Sequence, residues 1–94
     1  MSYFNGIKIG DRIWSYLDGY REVESVEHSL EYPIRIHLGP ETYQLCDMEG
    51  YANKLHINQL FFWTPQDCKK LFKNTSEGKL FELFRPYLVR RQLQ

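Results

Sequence analysis

The side chains able to do chemistry are few, and their spacing decides how far they can be taken. Histidine occurs at His28, His37 and His56, and cysteine at Cys46 and Cys68. Zinc needs ligands that converge tightly, and its sites usually announce themselves by short Cys-x-x-Cys or His-x-x-x-His spacings. None occurs here, so the sequence predicts no metal. A nucleophilic cysteine needs a base and an orienting group, and nothing near Cys46 or Cys68 marks either. Both read as small core residues with reduced thiols. Glu22, Glu24 and Glu27, joined by Glu31, gather around one hairpin. Paired carboxylates serve acid–base chemistry when burial separates their pKa values, but these alternate with Val23 and Val26, as on the wet face of a hairpin where like charges discourage aggregation. No phosphate-binding loop, Gly-x-Gly-x-x-Gly, Gly-x-Ser-x-Gly or His-Glu-x-x-His is present. The reading is a protein that is no enzyme and carries no cofactor.

What remains is binding chemistry. Tyr16, Tyr20, Tyr32, Tyr43 and Tyr51 fall at expected strand ends and turns, where amphipathic rings can line a groove or fill a small barrel. Tyr16, Tyr20, Tyr32 and Tyr51, with Glu22, Glu24 and Glu27, form the candidate protein-binding set, whose acidity suits a basic partner. A second set is basic: Lys69, Lys70, Lys73, Lys79, Arg85, Arg90 and Arg91 offer an alternative nucleic-acid interface. Charge divides between the two. Residues 1–64 carry five basic and nine acidic side chains, whereas residues 65–94 carry seven basic and three acidic, so the halves are oppositely charged and the chain is neutral. No whole-chain field draws it to DNA or an anionic membrane.

Short strands must position the first set. Ile13 to Leu17 is β-branched and aromatic, and Asp18-Gly19 suits the positive φ angles of a tight hairpin turn. The returning strand, Tyr20 to about His28, sets Val23 and Val26 three apart, which places both on one face only if a bulge intervenes near Ser25. Tyr32-Pro33 imposes extended backbone, after which Ile34, Ile36 and Leu38 alternate with Arg35 and His37, a strand buried on one face. Gly39-Pro40-Glu41 turns the chain into Thr42–Cys46, with Tyr43 and Leu45 on a common face, and a polar loop follows from Asp47 to Lys54. A closing strand is expected over Leu55–Trp63, covered on both sides where it reads Leu60-Phe61-Phe62-Trp63. Trp14 and Trp63 are assigned to the core.

The basic set rides on helices. Thr64-Pro65-Gln66-Asp67 combines a capping hydroxyl, a first-turn proline and a favourable acid, predicting a helix to about Lys73. Asn74-Thr75-Ser76-Glu77 starts a second, in which Leu80, Phe81, Phe84 and Leu88 form an apolar stripe. Pro86 should kink or restart it. Such a stripe must be covered, either by the chain's own barrel or by a second copy in a homodimer.

The chain of 94 residues is 43% hydrophobic and 16% aromatic, enough to fill one core despite a mean hydropathy of −0.54, and too short for two. No apolar run approaches the roughly 20 residues that span a bilayer, and the first residues lack a signal-peptide pattern, so a soluble cytoplasmic protein is expected.

The motifs Gly10-Asp11-Arg12-Ile13-Trp14, Gly19, Val23 with Val26, Tyr32-Pro33-Ile34-Arg35-Ile36, Glu41-Thr42-Tyr43 and Leu60-Phe61-Phe62-Trp63 occur in an order that resembles a loose family of small phage and mobile-element proteins of unknown role. The resemblance covers about residues 8–63 and implies an SH3-like β-barrel and a phage or prophage origin, with the bacterial host cytoplasm as its setting. It departs at Ile13, where valine is usual, at Asp47-Met48-Glu49-Gly50, where the pattern has aspartate-glycine, and in the helices after residue 64. It carries no catalytic residues. The fold class expected is α+β, mainly β: a five-stranded antiparallel SH3-like barrel over residues 1–64, followed by two C-terminal helices that pack on it within a single domain. In function it implies an accessory protein that binds a host or phage macromolecule stoichiometrically.

Overall fold

A computed structural model describes residues 1–53 and 57–92, with side chains described to residue 89. Five strands, β1 (Arg12–Ser15), β2 (Gly19–Val26), β3 (Ile34–Gly39), β4 (Thr42–Cys46) and β5 (Phe61–Phe62), precede α1 (Pro65–Leu71) and α2 (Glu77–Gln92). The strands form one antiparallel sheet in the order β4-β3-β2-β1-β5. Gly19 takes φ +73° in the β1–β2 turn, as the Asp-Gly dipeptide predicts. The register between β2 and β3 shifts between Val23 and Ser25, so the bulge bends β2 and curls the sheet into a half-barrel. The fold is therefore the mainly β, SH3-like arrangement with two C-terminal helices that the pattern predicts.

The open side is closed by a loop. Gly50 (φ +87°) accepts hydrogen bonds at its carbonyl from the Leu60 and Phe61 amides, both at 3.0 Å. A Cβ there would stand 2.3 Å from the Phe61 carbonyl oxygen, so only glycine permits this approach. The core gathers Phe4, Ile7, Ile13, Val23, Ile34, Ile36, Leu60, Phe61 and Phe62 with Cys46 and Cys68, and Leu80, Phe84 and Tyr87 enter it from α2. Burial raises the pKa of both thiols, that of Cys68 to about 11.

Several expectations are corrected. The closing strand is only Phe61–Phe62; its expected start at Leu55, and His56, lie outside the described residues. Trp14 and Trp63 are half-buried at the margin of the core rather than inside it. Tyr43 and Leu45 do share a face, the outer one, because Gln44 and Cys46 take the buried positions of β4. Helix α2 runs unbroken through Pro86. Phe84 and Tyr87, both fully buried, anchor it on either side of the proline, so tertiary packing offsets the lost amide donor. Of the apolar stripe, Leu80 and Phe84 lie against the chain's own barrel and Leu88 is half-buried, whereas Phe81 is exposed; Tyr87 replaces it on the inner face. Among the described residues no helix is long and apolar enough to cross a membrane.

Candidate functional site

Strand alternation sorts side chains onto two faces. With Ile13, Val23, Ile34, Ile36 and Cys46 inside, Arg12 of β1, Tyr20, Glu22 and Glu24 of β2, Arg35 and His37 of β3 and Tyr43 of β4 point outward and are exposed. Register then makes neighbours of them: Arg12 lies opposite Glu22, and His37 opposite Tyr43. The Glu24 carboxylate accepts from Arg35 Nε at 2.9 Å through one oxygen and meets His37 Nδ1 at 2.7 Å through the other. These two partners, His37 first, hold Glu24 below the ordinary glutamate pKa. The Arg35 guanidinium also lies 3.7 Å from the Tyr43 ring centre, and Arg12 lies 4.8 Å from that of Tyr20. Two arginine-on-tyrosine stacks thus flank Glu22 and Glu24, and a depression of about 280 Å³ opens between Glu22, Val23, Glu24 and His37. Such a face can grip charged or aromatic groups.

A second cluster is built by the N-terminal segment, to which the motif pattern gives no part. The Tyr3 hydroxyl donates to Asp67 Oδ2 at 2.5 Å and accepts from the Trp63 amide at 2.6 Å, while Trp63 Nε1 donates to the Tyr3 carbonyl at 3.1 Å. Burial and the Asp67 acceptor raise the Tyr3 pKa well above the usual phenol range. Thr64 caps α1 by accepting from the Asp67 amide, which sets the Asp67 side chain toward Tyr3.

The predicted protein-binding residues are divided rather than gathered. Tyr20, Glu22 and Glu24 lie together on the outer face, and Glu27 is exposed beyond the end of β2, where it accepts from Ser29. Tyr16 instead seats α2, with its ring 5.3 Å from that of Phe84 and its hydroxyl donating to the Glu77 carbonyl at 3.0 Å. Tyr32 is half-buried before β3, and Tyr51 is half-buried in the loop after β4, its amide held by Asp47. Of the basic set, Lys69 and Lys70 are exposed on α1, Lys73 lies in the link to α2, and Lys79 and Arg85 are exposed on α2, the latter beside Glu82 at 3.7 Å. The side chains of Arg90 and Arg91 lie outside the described residues. The sequence reading missed Arg12 and Arg35 as partners of the tyrosines, left Tyr43 out of its set, and passed over Tyr3. Arg12 and Arg35 could have been found from their outward positions one strand away from an outward tyrosine.

No family model, curated protein or solved structure matches the chain.

Proposed function

We propose that the protein acts stoichiometrically, by presenting the outer face of β1–β4 to another macromolecule, as an accessory protein of a phage or integrated element. The observation that supports this best is the pair of exposed stacks, Arg12 on Tyr20 and Arg35 on Tyr43. Tyrosine and arginine dominate interface hot spots because each couples large contact area to directional polar groups. Here their rotamers are already restrained by stacking and by Glu24, which lowers the entropy lost on binding. Glu22 on this face, and Glu27 and Glu31 beyond the end of β2, are all exposed and bias the choice toward a basic protein surface. In a phage setting, occupying such a surface would itself inhibit or redirect a host or phage factor.

Affinity capture from a nuclease-treated host lysate tests this, with wild type compared against Tyr20→Ala/Tyr43→Ala and Glu22→Lys/Glu27→Lys. Retention of a protein by wild type and its loss from both folded variants is the expected result. Equal recovery by all three chains would remove the face from consideration. A partner lost only when Lys69, Lys73 and Lys79 are neutralised, or only on nuclease treatment, would favour the basic helices instead.

A further inference from the structure

A separate cleft of about 420 Å³ lies where the N-terminal segment, β5 and α1 meet, lined by Tyr3, Gln59, Phe62, Asp67, Lys70 and Leu71. Its size falls within the roughly 300–1,000 Å³ usual for small-molecule sites. Its apolar lining is Phe62 of β5 and, at the end of α1, Leu71, which is left 55% exposed. The same turn of α1 also carries the cleft's two charges. Asp67 and Lys70 stand three residues apart, so their Cβ atoms are separated by about 5–6 Å. Neither is consumed by the other: the ion pairs among the described residues join other side chains. The Asp67 carboxylate is fixed in place through Oδ2 by the Tyr3 hydroxyl, which the Trp63 amide fixes in turn. Among the described residues no side chain bonds to Oδ1. The cleft therefore offers a positioned anion, a cation one turn away and an apolar wall.

We propose that this cleft binds a free α-amino acid with an apolar side chain. Such a ligand carries an ammonium and a carboxylate on a single carbon, which meet Asp67 and Lys70 together, and its side chain covers Phe62 and Leu71. A ligand with one charge satisfies one end and leaves the other without a partner. Because the site is open to solvent, each charge contact is screened, and the affinity expected is near the millimolar range.

Titration of the full chain with L-leucine and L-phenylalanine, followed by amide chemical shifts in a ¹H–¹⁵N spectrum, tests this. Phenylalaninamide, which lacks the carboxylate, and N-acetyl-phenylalanine, which lacks the ammonium, serve as comparators. Saturable shifts at Gln59 and along Asp67–Leu71 are expected, with each comparator binding about fivefold more weakly than phenylalanine. Lys70→Met, on an exposed helical position, should erase the difference between phenylalanine and its amide. Asp67→Asn, which still accepts from Tyr3, should erase the difference between phenylalanine and its acetylated form. Absence of saturable binding by about 10 mM, equal binding of the three aromatic ligands, or a preference for phenylalanine over its amide that survives Lys70→Met would overturn the proposal.

Discussion

Replacing Tyr3 by phenylalanine removes one oxygen and should weaken the fold far more than its place near the chain start suggests. That oxygen makes two bonds in opposite senses, donating to Asp67 and accepting from the Trp63 amide, and so ties the N-terminal segment to both β5 and α1. Losing a hydrogen bond to a charged group costs about 1.5–3 kcal/mol, and stranding a buried donor about 1–3 kcal/mol. Asp67 is only half-buried and regains water, so the sum falls at the lower end, about 2.5–4 kcal/mol. The bond from Trp63 Nε1 to the Tyr3 carbonyl involves only backbone on the Tyr3 side and survives. Against the roughly 5–15 kcal/mol of a typical domain this is a large share, equivalent to a fall in Tm of about 10–25 °C. Urea unfolding followed by the fluorescence of Trp14 and Trp63 measures it. Asp67→Asn keeps an acceptor for the hydroxyl and is the control, with an expected loss below about 1 kcal/mol. A Tyr3→Phe loss below about 0.5 kcal/mol would refute the reasoning, since water would then be replacing the hydroxyl on both sides.

Phe84, fully buried between the rings of Tyr16, Phe72 and Tyr87, should cost about 3–5 kcal/mol when cut to alanine. Exposed Phe81 should cost within about 0.5 kcal/mol, and a large Phe81 effect that grows with protein concentration would show that α2 is covered by a second copy. Gly50→Ala should cost at least about 2 kcal/mol, from the positive φ and the collision with the Phe61 carbonyl, and a neutral result would mean the loop does not seal the barrel. Alkaline pH should destabilise the fold. Cys46, Cys68 and Tyr3 have raised folded-state pKa values, so the unfolded chain loses protons first and stability falls as pH rises above about 8.5 for the thiols and about 10 for the phenol. Denaturant midpoints from pH 7 to 11 check the sign, and a midpoint that rose with pH would contradict it. Glu24 is the opposite case: its depressed pKa means its contribution is present above the ordinary glutamate range and fades as pH drops through the lowered value. Carboxyl-carbon NMR should show that titration moving up toward 4.5 in His37→Ala, and an unmoved curve would show that His37 is a bystander.

How much of this was legible follows from the range of the forces involved. The hairpin at Asp18-Gly19, the bulge near Ser25, the alternation of Ile34 and Ile36 and the cap at Thr64 were all readable, because each is decided by backbone geometry within a few residues. The outer-face network was half readable. Outward positions for Glu24 and His37 follow from period 2, but which residue each meets depends on register, and the shift at the bulge alters the pairing on β3. Tyr3 was not readable at all. Its partners lie 60 and 64 residues away, and nothing local distinguishes a tyrosine that knits three elements from one on a loose end. Pro86 misled for the converse reason: its local cost is real, but Phe84 and Tyr87 outweigh it through contacts that no window of sequence contains.

This division between local and distant determinants also separates stability from binding in the molecule. Tyr3, Gly50, Phe84 and Tyr87 act on the inner face or at the seams, so substitutions there are read first in denaturant midpoints. Arg12, Tyr20, Arg35, His37 and Tyr43 act on a face whose pairs are exposed; such pairs contribute little to folding, about 0–1 kcal/mol each, yet they restrain the side chains a partner would meet. Replacing Arg35 by methionine exposes the contrast, because it removes both the Glu24 bond and the Tyr43 stack while keeping an aliphatic stem. Stability should change by less than about 1 kcal/mol, whereas a partner that reads this face should dissociate at least about tenfold faster, as loss of a hot spot does. Were the same variant to unfold the barrel and leave binding untouched, the stacks would have to be counted as part of the scaffold.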